Sequence, residues 1–94
     1  MPGRRLHVIA YDISEDGPRG RLAKFLLDYG DRIQHSVFEA DLEPEDVERI
    51  MARAKPLVAA GDSLRIYALC ADCAEKVRSL GRQGPIELDD IVVV

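Results

Sequence analysis

The apolar residues of the chain fall into short runs separated by amphipathic stretches, a pattern typical of a mixed α and β domain. Residues 6–13 (LHVIAYDI) form a β-branched apolar run, which predicts a buried strand with a carboxylate, Asp12, at its end. A polar loop follows, and Pro18 suits the first position of a helix. Gly30 supplies the stop signal of that helix. Its apolar stripe consists of Leu22, Phe25, Leu26 and Tyr29.

The middle of the chain predicts a strand region followed by a second helix. Residues 32–42 alternate in polarity, as one long strand or two short strands joined by a bend would. Residues 44–60 return to helical spacing, with acidic side chains in the first turns, where the helix dipole favours anions. Pro56 predicts a kink or an early stop near Lys55, because an interior proline removes a hydrogen bond and clashes with the preceding turn.

The last third of the chain predicts two more strands and a short helix. Residues 63–71 are typical of a strand, residues 72–80 of a short helix ended by Gly81, and residues 85–88 of an edge strand. Residues 91–94 (IVVV) prefer a strand and are apolar on both faces, so they require a sheet edge in their own chain or in a partner. These passages predict an α+β sandwich with helices on one face of a sheet.

Size and charge narrow the class of protein. The 94 residues suffice for one compact domain, residues 1–94, which buries only about two-thirds of its unfolded surface, so that dimerisation is expected to add stability. The net charge of −4 argues against a surface given over entirely to nucleic acid, but it allows a local basic patch. Apolar runs are too short to cross a membrane, and the N-terminus lacks the core of a signal peptide, which predicts a cytoplasmic protein.

Three motifs carry a resemblance to a known family. Tyr-Asp-Ile stands at residues 11–13, with Arg19 and Arg21 soon after it. Arg-Ile-Gln-His-Ser-Val-Phe-Glu stands at residues 32–39, and Ser-Leu-Arg-Ile-Tyr at residues 63–67. In their order and spacing, and with the valine-rich tail, these motifs resemble the Cas2 family of CRISPR-associated proteins over essentially the whole chain.

The resemblance implies a fold and an assembly. Cas2 proteins have a ferredoxin-like βαββαβ sandwich and form homodimers, in which an extra C-terminal strand, here about residues 90–94, pairs with the partner protomer. The resemblance also implies that residues 32–42 form two strands or one sharply bent strand. His35 stands where an aromatic residue is common in the family, so a stacking role is not carried over to it.

The resemblance implies a function in CRISPR spacer acquisition, part of antiviral defence, and leaves the chemistry open. Some family members are described as Mg²⁺-dependent endonucleases that hydrolyse phosphodiesters of single-stranded RNA or double-stranded DNA. In others the dimer is a non-catalytic scaffold that bridges the CRISPR integrase (Cas1) and foreign DNA. A VapD-like toxin ribonuclease is a third alternative, because it shares the fold and the aspartate of the first strand.

Asp12 is the candidate catalytic and metal-binding residue. A carboxylate fixed at the end of a strand suits Mg²⁺, which prefers oxygen ligands and keeps several waters, and such an ion lowers the pKa of bound water. Each chain supplies only one such carboxylate, so the resemblance implies that a two-fold axis brings Asp12 beside its symmetry mate. From the residue alone, an aspartate that shapes the turn into the first helix is the simpler interpretation.

Candidate nucleic-acid-binding residues match family positions. Arg19, Arg21 and Arg32 are predicted to contact phosphates, because the planar guanidinium binds phosphate oxygens in pairs. The alternative is that these arginines only solvate the outer face of the first helix and its neighbouring strand, which is the preferred interpretation for Lys24. Phe38 matches a family aromatic linked to activity, although its alternating strand equally predicts a core residue.

Two other sets of reactive side chains are interpreted as structural. Cys70 and Cys73 form a lone C-x-x-C at a strand-to-helix junction, as in thioredoxin-like centres, but the surrounding chain lacks that fold's order. A zinc ribbon needs a second pair of cysteines, and the sequence has only these two. The prediction is therefore two reduced, mostly buried thiols. His7 alternates with apolar neighbours in the first strand and is predicted to be structural.

Overall fold

A computed structural model of the chain describes residues 3–81. The predicted edge strand at residues 85–88 and the predicted C-terminal strand at residues 90–94 lie outside these residues. The first predicted strand is confirmed as β1, Arg5–Asp12. Its odd-numbered side chains from position 7 onward are buried and the alternate ones are partly or fully exposed, so that β1 presents one face to the core.

Within residues 3–81, four strands form one antiparallel sheet in the order β2-β3-β1-β4. β2 is Asp31–Gln34, β3 is Val37–Leu42 and β4 is Ser63–Ala68. β1 lies between β3 and β4, with Ile9 opposite Phe38 on one side and opposite Ile66 on the other. With a helix after β1 and another after β3, this order confirms the expected ferredoxin-like βαββαβ sandwich.

Helix α1 spans Asp16–Leu26 and buries most of the predicted apolar stripe, but it ends before the predicted stop at Gly30, so that Tyr29 lies beyond the helix and is only partly buried. The helix begins two residues earlier than its proline indicated, since Glu15 is the N-cap and Pro18 occupies the third helical position. Proline is tolerated there because backbone N–H groups of the first turn have no partner within the helix. The side chains that α1 buries are Leu22, Ala23, Phe25 and Leu26.

The predicted bend in residues 32–42 is real, because a turn at positions 35 and 36 separates β2 from β3. Gly30, directly before β2, lies very close to the backbone of β3. An ideal Cβ on Gly30 would lie 2.2 Å from the Glu39 carbonyl oxygen and 2.5 Å from the Ala40 Cβ. Only a residue without a side chain allows the backbone to approach β3 this closely.

Helix α2 spans Pro44–Ala54 and is followed by a short 3₁₀ helix, Lys55–Leu57. The stop predicted near Lys55 is confirmed, since Pro56 falls in the 3₁₀ segment and not in α2. A reciprocal capping box joins Glu43 and Asp46, with the Glu43 N–H donating to Asp46 Oδ2 at 3.0 Å. Such a box satisfies donors at the helix start that otherwise lack partners.

The last described elements are shorter than predicted. β4 ends at Ala68, where its pairing with His7 of β1 ends, and α3 spans only Ala71–Glu75. The expectation that Cys70 and Cys73 are mostly buried is wrong, since both thiols are exposed. The physical reason is that α3 buries none of its residues and therefore offers no packed surface to cover them.

The hydrophobic core lies between one face of the sheet and helices α1 and α2. It joins Ile9 and Phe38 of the sheet to Leu22 and Leu26 of α1 and Ile50 of α2, all fully buried. The opposite face of the sheet is only partly covered by the described residues. No helix within the described part of the chain is long and apolar enough to cross a membrane.

The uncovered face of the sheet, residues 6, 8, 10 and 12 of β1 and their neighbours, is partly exposed. Leu6 and Val8 of this face lie opposite Asp41 and Glu39 of β3, and Ala10 lies opposite Arg65 of β4. Three strands of the sheet therefore present apolar and charged groups side by side on a surface that no described helix covers.

Candidate functional site

Asp12 is the last residue of β1 and lies opposite Ser63, the first residue of β4. Its side chain is exposed, whereas Tyr11 and Ile13 on either side of it are buried in the core. By strand alternation, the Asp12 carboxylate therefore projects from the uncovered face of the sheet. Within residues 3–81 no ion pair engages this carboxylate.

A clamp next to Asp12 joins the loop after β1 to the loop before β4. Asp62 Oδ1 accepts hydrogen bonds from the Ser14 N–H at 3.0 Å and from the Ser14 hydroxyl at 3.0 Å, and Oδ2 accepts from the Ala59 N–H at 3.1 Å. These donors, the Ser14 N–H first and the Ala59 N–H second, lower the pKa of Asp62. The clamp fixes the two strand ends that flank Asp12.

Arg19 folds back from α1 onto the loop that follows Asp12. Its guanidinium donates to the Ile13 carbonyl at 2.9 Å and to the Ser14 carbonyl at 3.2 Å, and it pairs with Asp16 one helical turn earlier. These carbonyl groups belong to no strand or helix, so the arginine supplies their hydrogen bonds. Arg19 is therefore engaged in holding the loop, with its side chain still 37% exposed.

Arg32 lies beneath the turn between β2 and β3 and is almost fully buried, with 6% of its surface exposed. Its Nε donates to the His35 carbonyl oxygen at 2.8 Å, and Nη2 contacts the same oxygen. The guanidinium carbon lies 5.9 Å from the centre of the Phe38 ring. Within the described part of the chain, the charge of Arg32 thus faces a carbonyl and an aromatic ring, and no ion pair with a carboxylate is formed.

Tyr11 meets the same turn from β1. Its hydroxyl donates to the His35 carbonyl at 3.2 Å, and its backbone N–H donates to the Ser36 carbonyl at 3.1 Å. Burial raises the pKa of Tyr11, while the positive charges of Arg32 and Arg19 oppose that rise. Two of the three predicted arginines therefore act on one buried phenol next to Asp12 in the chain.

Phe38 is fully buried beside Tyr11, with ring centres 6.3 Å apart. The core position that its strand predicts is confirmed. A fully buried ring offers no surface for direct contact with nucleic acid in this conformation. Its effect on a site at the end of β1 would be exerted through Tyr11 and Arg32, which it packs against.

Arg21 belongs to a different surface from the other candidates. It lines a groove of about 510 Å³ between α1 and the end of α2, together with the cations Lys24 and Arg53 and the carboxylate of Asp28. The Arg53 guanidinium lies 4.5 Å above the Phe25 ring, which holds it at the groove wall. The structure thus brings Arg19 and Arg32 together around Tyr11 and places Arg21 in the helix layer.

The described residues of one chain supply few ligands for a metal ion. Within residues 3–81, no group of three or more His, Cys, Asp or Glu side chains converges on a common point. The Asp12 carboxylate supplies exposed oxygen ligands of the type Mg²⁺ prefers, and Mg²⁺ is commonly held by one or two carboxylates together with waters. The residues therefore fit this ion only if water or a second chain completes its coordination.

The sequence motifs do not predict the structural roles of Asp62 and Tyr11. The role of Asp62 lies outside the three motifs, although an aspartate directly after Gly61 and before a strand is a signal for a loop-fixing carboxylate. The motif that contains Tyr11 does not indicate its hydrogen bond to the turn. Nothing in the local sequence could reveal that bond, because Tyr11 and His35 are brought together by the pairing of β1 with β3.

His7 is buried, with Nδ1 2.8 Å from the Arg5 carbonyl oxygen, as its structural interpretation expects.

Comparison with known proteins covers all of these residues. The profile of a family described as CRISPR associated protein Cas2 matches residues 5–77. A CRISPR-associated endonuclease Cas2 of Thermus thermophilus is 43% identical over 94 residues, which cover 98% of this chain and 99% of that protein. A CRISPR-associated endoribonuclease Cas2 of Chloroflexus aurantiacus is 41% identical over 91 residues, 94% of this chain and 98% of its own.

A solved structure has the same fold. The crystal structure of a hypothetical protein from Thermus thermophilus superposes with a TM-score of 0.76 at 42% sequence identity. The superposition covers 89% of this chain and 98% of the other. The resemblance of the three sequence motifs to one family is therefore confirmed by the full-length comparison and by the fold.

Proposed function

Because the chain belongs to the Cas2 family of CRISPR-associated proteins, we propose that it acts in CRISPR spacer acquisition as a Mg²⁺-dependent endonuclease. Support for nuclease activity comes from relatives that are named endonuclease and endoribonuclease and that align over more than nine-tenths of this chain. Their names divide between the two descriptions, so both double-stranded DNA and single-stranded RNA are substrates to test. The cytoplasm is the proposed location.

The observation that carries this proposal is the position of Asp12. An exposed carboxylate projects from the uncovered face of the sheet, at a strand end fixed by the Asp62 clamp and by Arg19. Rigid support of this kind holds a reactive group in position while leaving it open to a substrate. A turn-forming aspartate would instead use its carboxylate on nearby backbone N–H groups, which is what Asp62 does.

A homodimer is part of the proposal. The uncovered face carries Leu6, Val8 and Ala10 of β1, which are partly exposed, and Tyr67 of β4, whose surface is 49% exposed. Two copies packed through this face would bury these apolar groups and bring both Asp12 carboxylates toward the two-fold axis. The pair of carboxylates would then supply what one chain lacks for holding Mg²⁺.

When bound, Mg²⁺ would supply an activated water and stabilise negative charge on a phosphodiester. The protein's own residues would position the substrate. Arg21, with Lys24 and Arg53 beside it, offers exposed cations for phosphate contacts away from the carboxylate. Arg19 and Arg32 would act mainly by positioning the strand ends and the β2–β3 turn, since their guanidinium groups already hold carbonyl oxygens.

The test is a cleavage assay with purified protein on double-stranded DNA and single-stranded RNA, in Mg²⁺ and in EDTA. Asp12→Asn should lower the rate at least about 100-fold, because even changes outside the ligand shell of a metal cost about 10–100-fold. Glu45→Gln, which changes an exposed carboxylate in the first turn of α2 on the core side of the sheet, is the matched control and should retain activity. Cutting that survives both Asp12→Asn and EDTA would contradict the proposal.

A non-catalytic scaffold that bridges the CRISPR integrase Cas1 and foreign DNA is the second candidate. The observation in its favour is that one chain contributes a single carboxylate at this place, with no cluster of three metal-ligating side chains within residues 3–81. For a scaffold, Asp12→Asn should leave spacer integration unchanged, while removal of residues 91–94 should abolish it. The VapD-like toxin alternative loses its support, because the family match is to Cas2.

A further inference from the structure

The pair Cys70 and Cys73 lies at a junction that the proposed nuclease function does not use. β4 ends at Ala68, and the Leu69 N–H donates to the Leu6 carbonyl at 2.9 Å, which anchors the chain to β1 immediately before the pair. Cys70 is the N-cap of α3 and Cys73 lies within that helix. Both thiols are exposed, so small solutes can reach them.

The local backbone holds the two sulfur atoms on the same side of one turn. The Cys73 N–H donates to Cys70 Sγ at 3.4 Å, and the Ala74 N–H donates to the Cys70 carbonyl at 2.9 Å. Residues three apart in a helical turn have Cα atoms roughly 5 Å apart, which is within the range that a disulfide spans. Closing a bond between these sulfur atoms therefore requires side-chain rotation and little movement of the backbone.

The two thiols are chemically unequal. Hydrogen bonds from Cys73, first from its N–H and then from its side chain, lower the pKa of Cys70. The same contact raises the pKa of Cys73, because its thiol donates to Cys70 and feels the negative charge there. A low-pKa exposed thiol next to a second thiol is the arrangement in which one sulfur attacks and the other resolves.

A disulfide fits the pair better than a metal does. A structural zinc ion needs four ligands, and Cys70 and Cys73 supply two. Asp72 lies between them in sequence, but its carboxylate is paired with Lys76 at 3.0 Å, and residues 3–81 contain no cluster of three metal-ligating side chains. Two thiols are, in contrast, the complete set for one disulfide.

We propose that Cys70 and Cys73 form a redox-active dithiol that small-molecule disulfides of the glutathione class oxidise reversibly to an intramolecular disulfide. The Cys70 thiolate attacks one sulfur of the small disulfide, forms a mixed disulfide and expels one thiolate. Cys73 gives up its proton and attacks Cys70 Sγ, which expels the second thiolate. Two electrons pass from the protein to the small disulfide, and excess small thiol reverses both steps.

The experiment uses the full-length protein, incubated with oxidised glutathione at increasing ratios to reduced glutathione, and followed by mass spectrometry and thiol counting. The wild type should lose both thiols together and two hydrogens in mass, and a peptide map should join Cys70 to Cys73. Cys73→Ser should accumulate one glutathione on Cys70, because the resolving thiol is missing. Cys70→Ser should react about tenfold more slowly at pH 7, because the remaining thiol has the higher pKa.

Several outcomes would overturn the proposal. One is a wild type that keeps both thiols in oxidised glutathione, and another is one that carries two stable glutathione adducts. A third is a disulfide that links two chains, detected as a covalent dimer without reductant. Equal reaction rates of the two serine variants would remove the assignment of Cys70 as the attacking thiol. Because the readout is thiol chemistry, these results are independent of whether the protein cleaves nucleic acid.

Discussion

Tyr11 and Arg32 donate hydrogen bonds to the same acceptor, the carbonyl oxygen of His35. Tyr11 reaches it from the central strand β1, and Arg32 reaches it from β2, so the turn between β2 and β3 is held from two sides. The Phe38 ring packs against both donors. The end of β1 that carries Asp12 is thereby tied to the turn of the β2–β3 hairpin.

Because the two donors share an acceptor, their removal should not be additive. Tyr11→Phe should lower the free energy of unfolding by about 1 kcal/mol, the usual contribution of one such hydrogen bond. In a double-mutant cycle with Arg32→Lys, which keeps the charge and loses the planar fork, the coupling energy should fall between about 0.5 and 3 kcal/mol. Urea denaturation followed by circular dichroism measures both values.

Tyr67→Phe is the control for that cycle. Tyr67 is half exposed on β4, and among residues 3–81 its hydroxyl accepts a single hydrogen bond, from the exposed Arg65 at 3.4 Å. Its removal should change the free energy of unfolding by no more than about 0.5 kcal/mol, as surface substitutions generally do. Additive effects of Tyr11→Phe and Arg32→Lys would contradict the shared-acceptor arrangement.

Alkaline titration should single out Tyr11. Burial raises its pKa above that of an ordinary phenol, so the folded state favours the neutral hydroxyl. The associated stability is fully present below the unfolded pKa of about 10 and is lost as the pH rises through the higher folded value. Phenolate absorbance should therefore show a late component that Tyr11→Phe removes.

The same titration tests the role of Arg32. Its positive charge opposes the effect of burial on Tyr11, so Arg32→Met should move the late component to still higher pH. If the absorbance curves of the wild type and Tyr11→Phe have the same shape and differ only in amplitude, the result would contradict the burial of the Tyr11 phenol that the structure shows.

The Asp62 clamp should give the protein an acid-sensitive contact. Hydrogen bonds from Ser14 and Ala59 lower the pKa of Asp62 in the folded state, so its contribution to stability is present above the unfolded pKa and is lost as the pH falls through the folded value. Asp62→Asn should lower the melting temperature at pH 7, because one carboxylate oxygen becomes an amide group that cannot accept. The difference in melting temperature between the wild type and Asp62→Asn should become smaller below about pH 4.

Thermal melts between pH 3 and 8 would check this, with Asp28→Asn as the matched control. Asp28 is exposed and lies in the groove beside Arg21, away from the clamp. A melting-temperature difference for Asp62→Asn that stays constant over the whole pH range would rule out the carboxylate hydrogen bonds as its cause.

Two glycines should respond in opposite directions to the same substitution. Gly30→Ala places a Cβ 2.2 Å from the Glu39 carbonyl oxygen, and the forced shift should cost about 1–3 kcal/mol of unfolding free energy. Gly20→Ala meets nothing within 4 Å in the interior of α1 and should stabilise the protein by about 0.5–1 kcal/mol. Chemical denaturation of both variants tests the sign, and a neutral Gly30→Ala would contradict the tight approach to β3.

The pattern of apolar positions predicted β1, the two long helices and the bend between β2 and β3, because burial of one face repeats at a fixed period in each element. The same pattern predicted greater lengths for β4 and α3 than the structure has. Residues 69–71 are as apolar as a strand requires, but the pairing of β4 with β1 stops at Ala68 opposite His7, although β1 itself extends to Arg5, and the chain then enters α3 with Cys70 as its N-cap. Local composition does not contain that limit.

The candidate site was predictable in outline only. Asp12 could be singled out because it is the first carboxylate after a buried strand, and the structure leaves it exposed. Phe38 could be placed in the core from its alternating strand, but Arg32 could not be recognised as its buried partner, since the side on which β2 meets the helices depends on the register with β3, where Arg32 lies opposite Phe38. Their direct role toward nucleic acid stays a prediction.

The central position of β1 has a consequence for the order in which the protein folds during translation. β1 leaves the ribosome first, yet its two neighbours, β3 and β4, are synthesised later, and β4 is the last described strand. Until residues 63–68 emerge, the nascent chain carries β1 with one hydrogen-bonding edge unsatisfied. Synthesis rate and chaperone access in this interval should therefore govern how much of the protein reaches its native state, more than they would for a chain built from sequential hairpins.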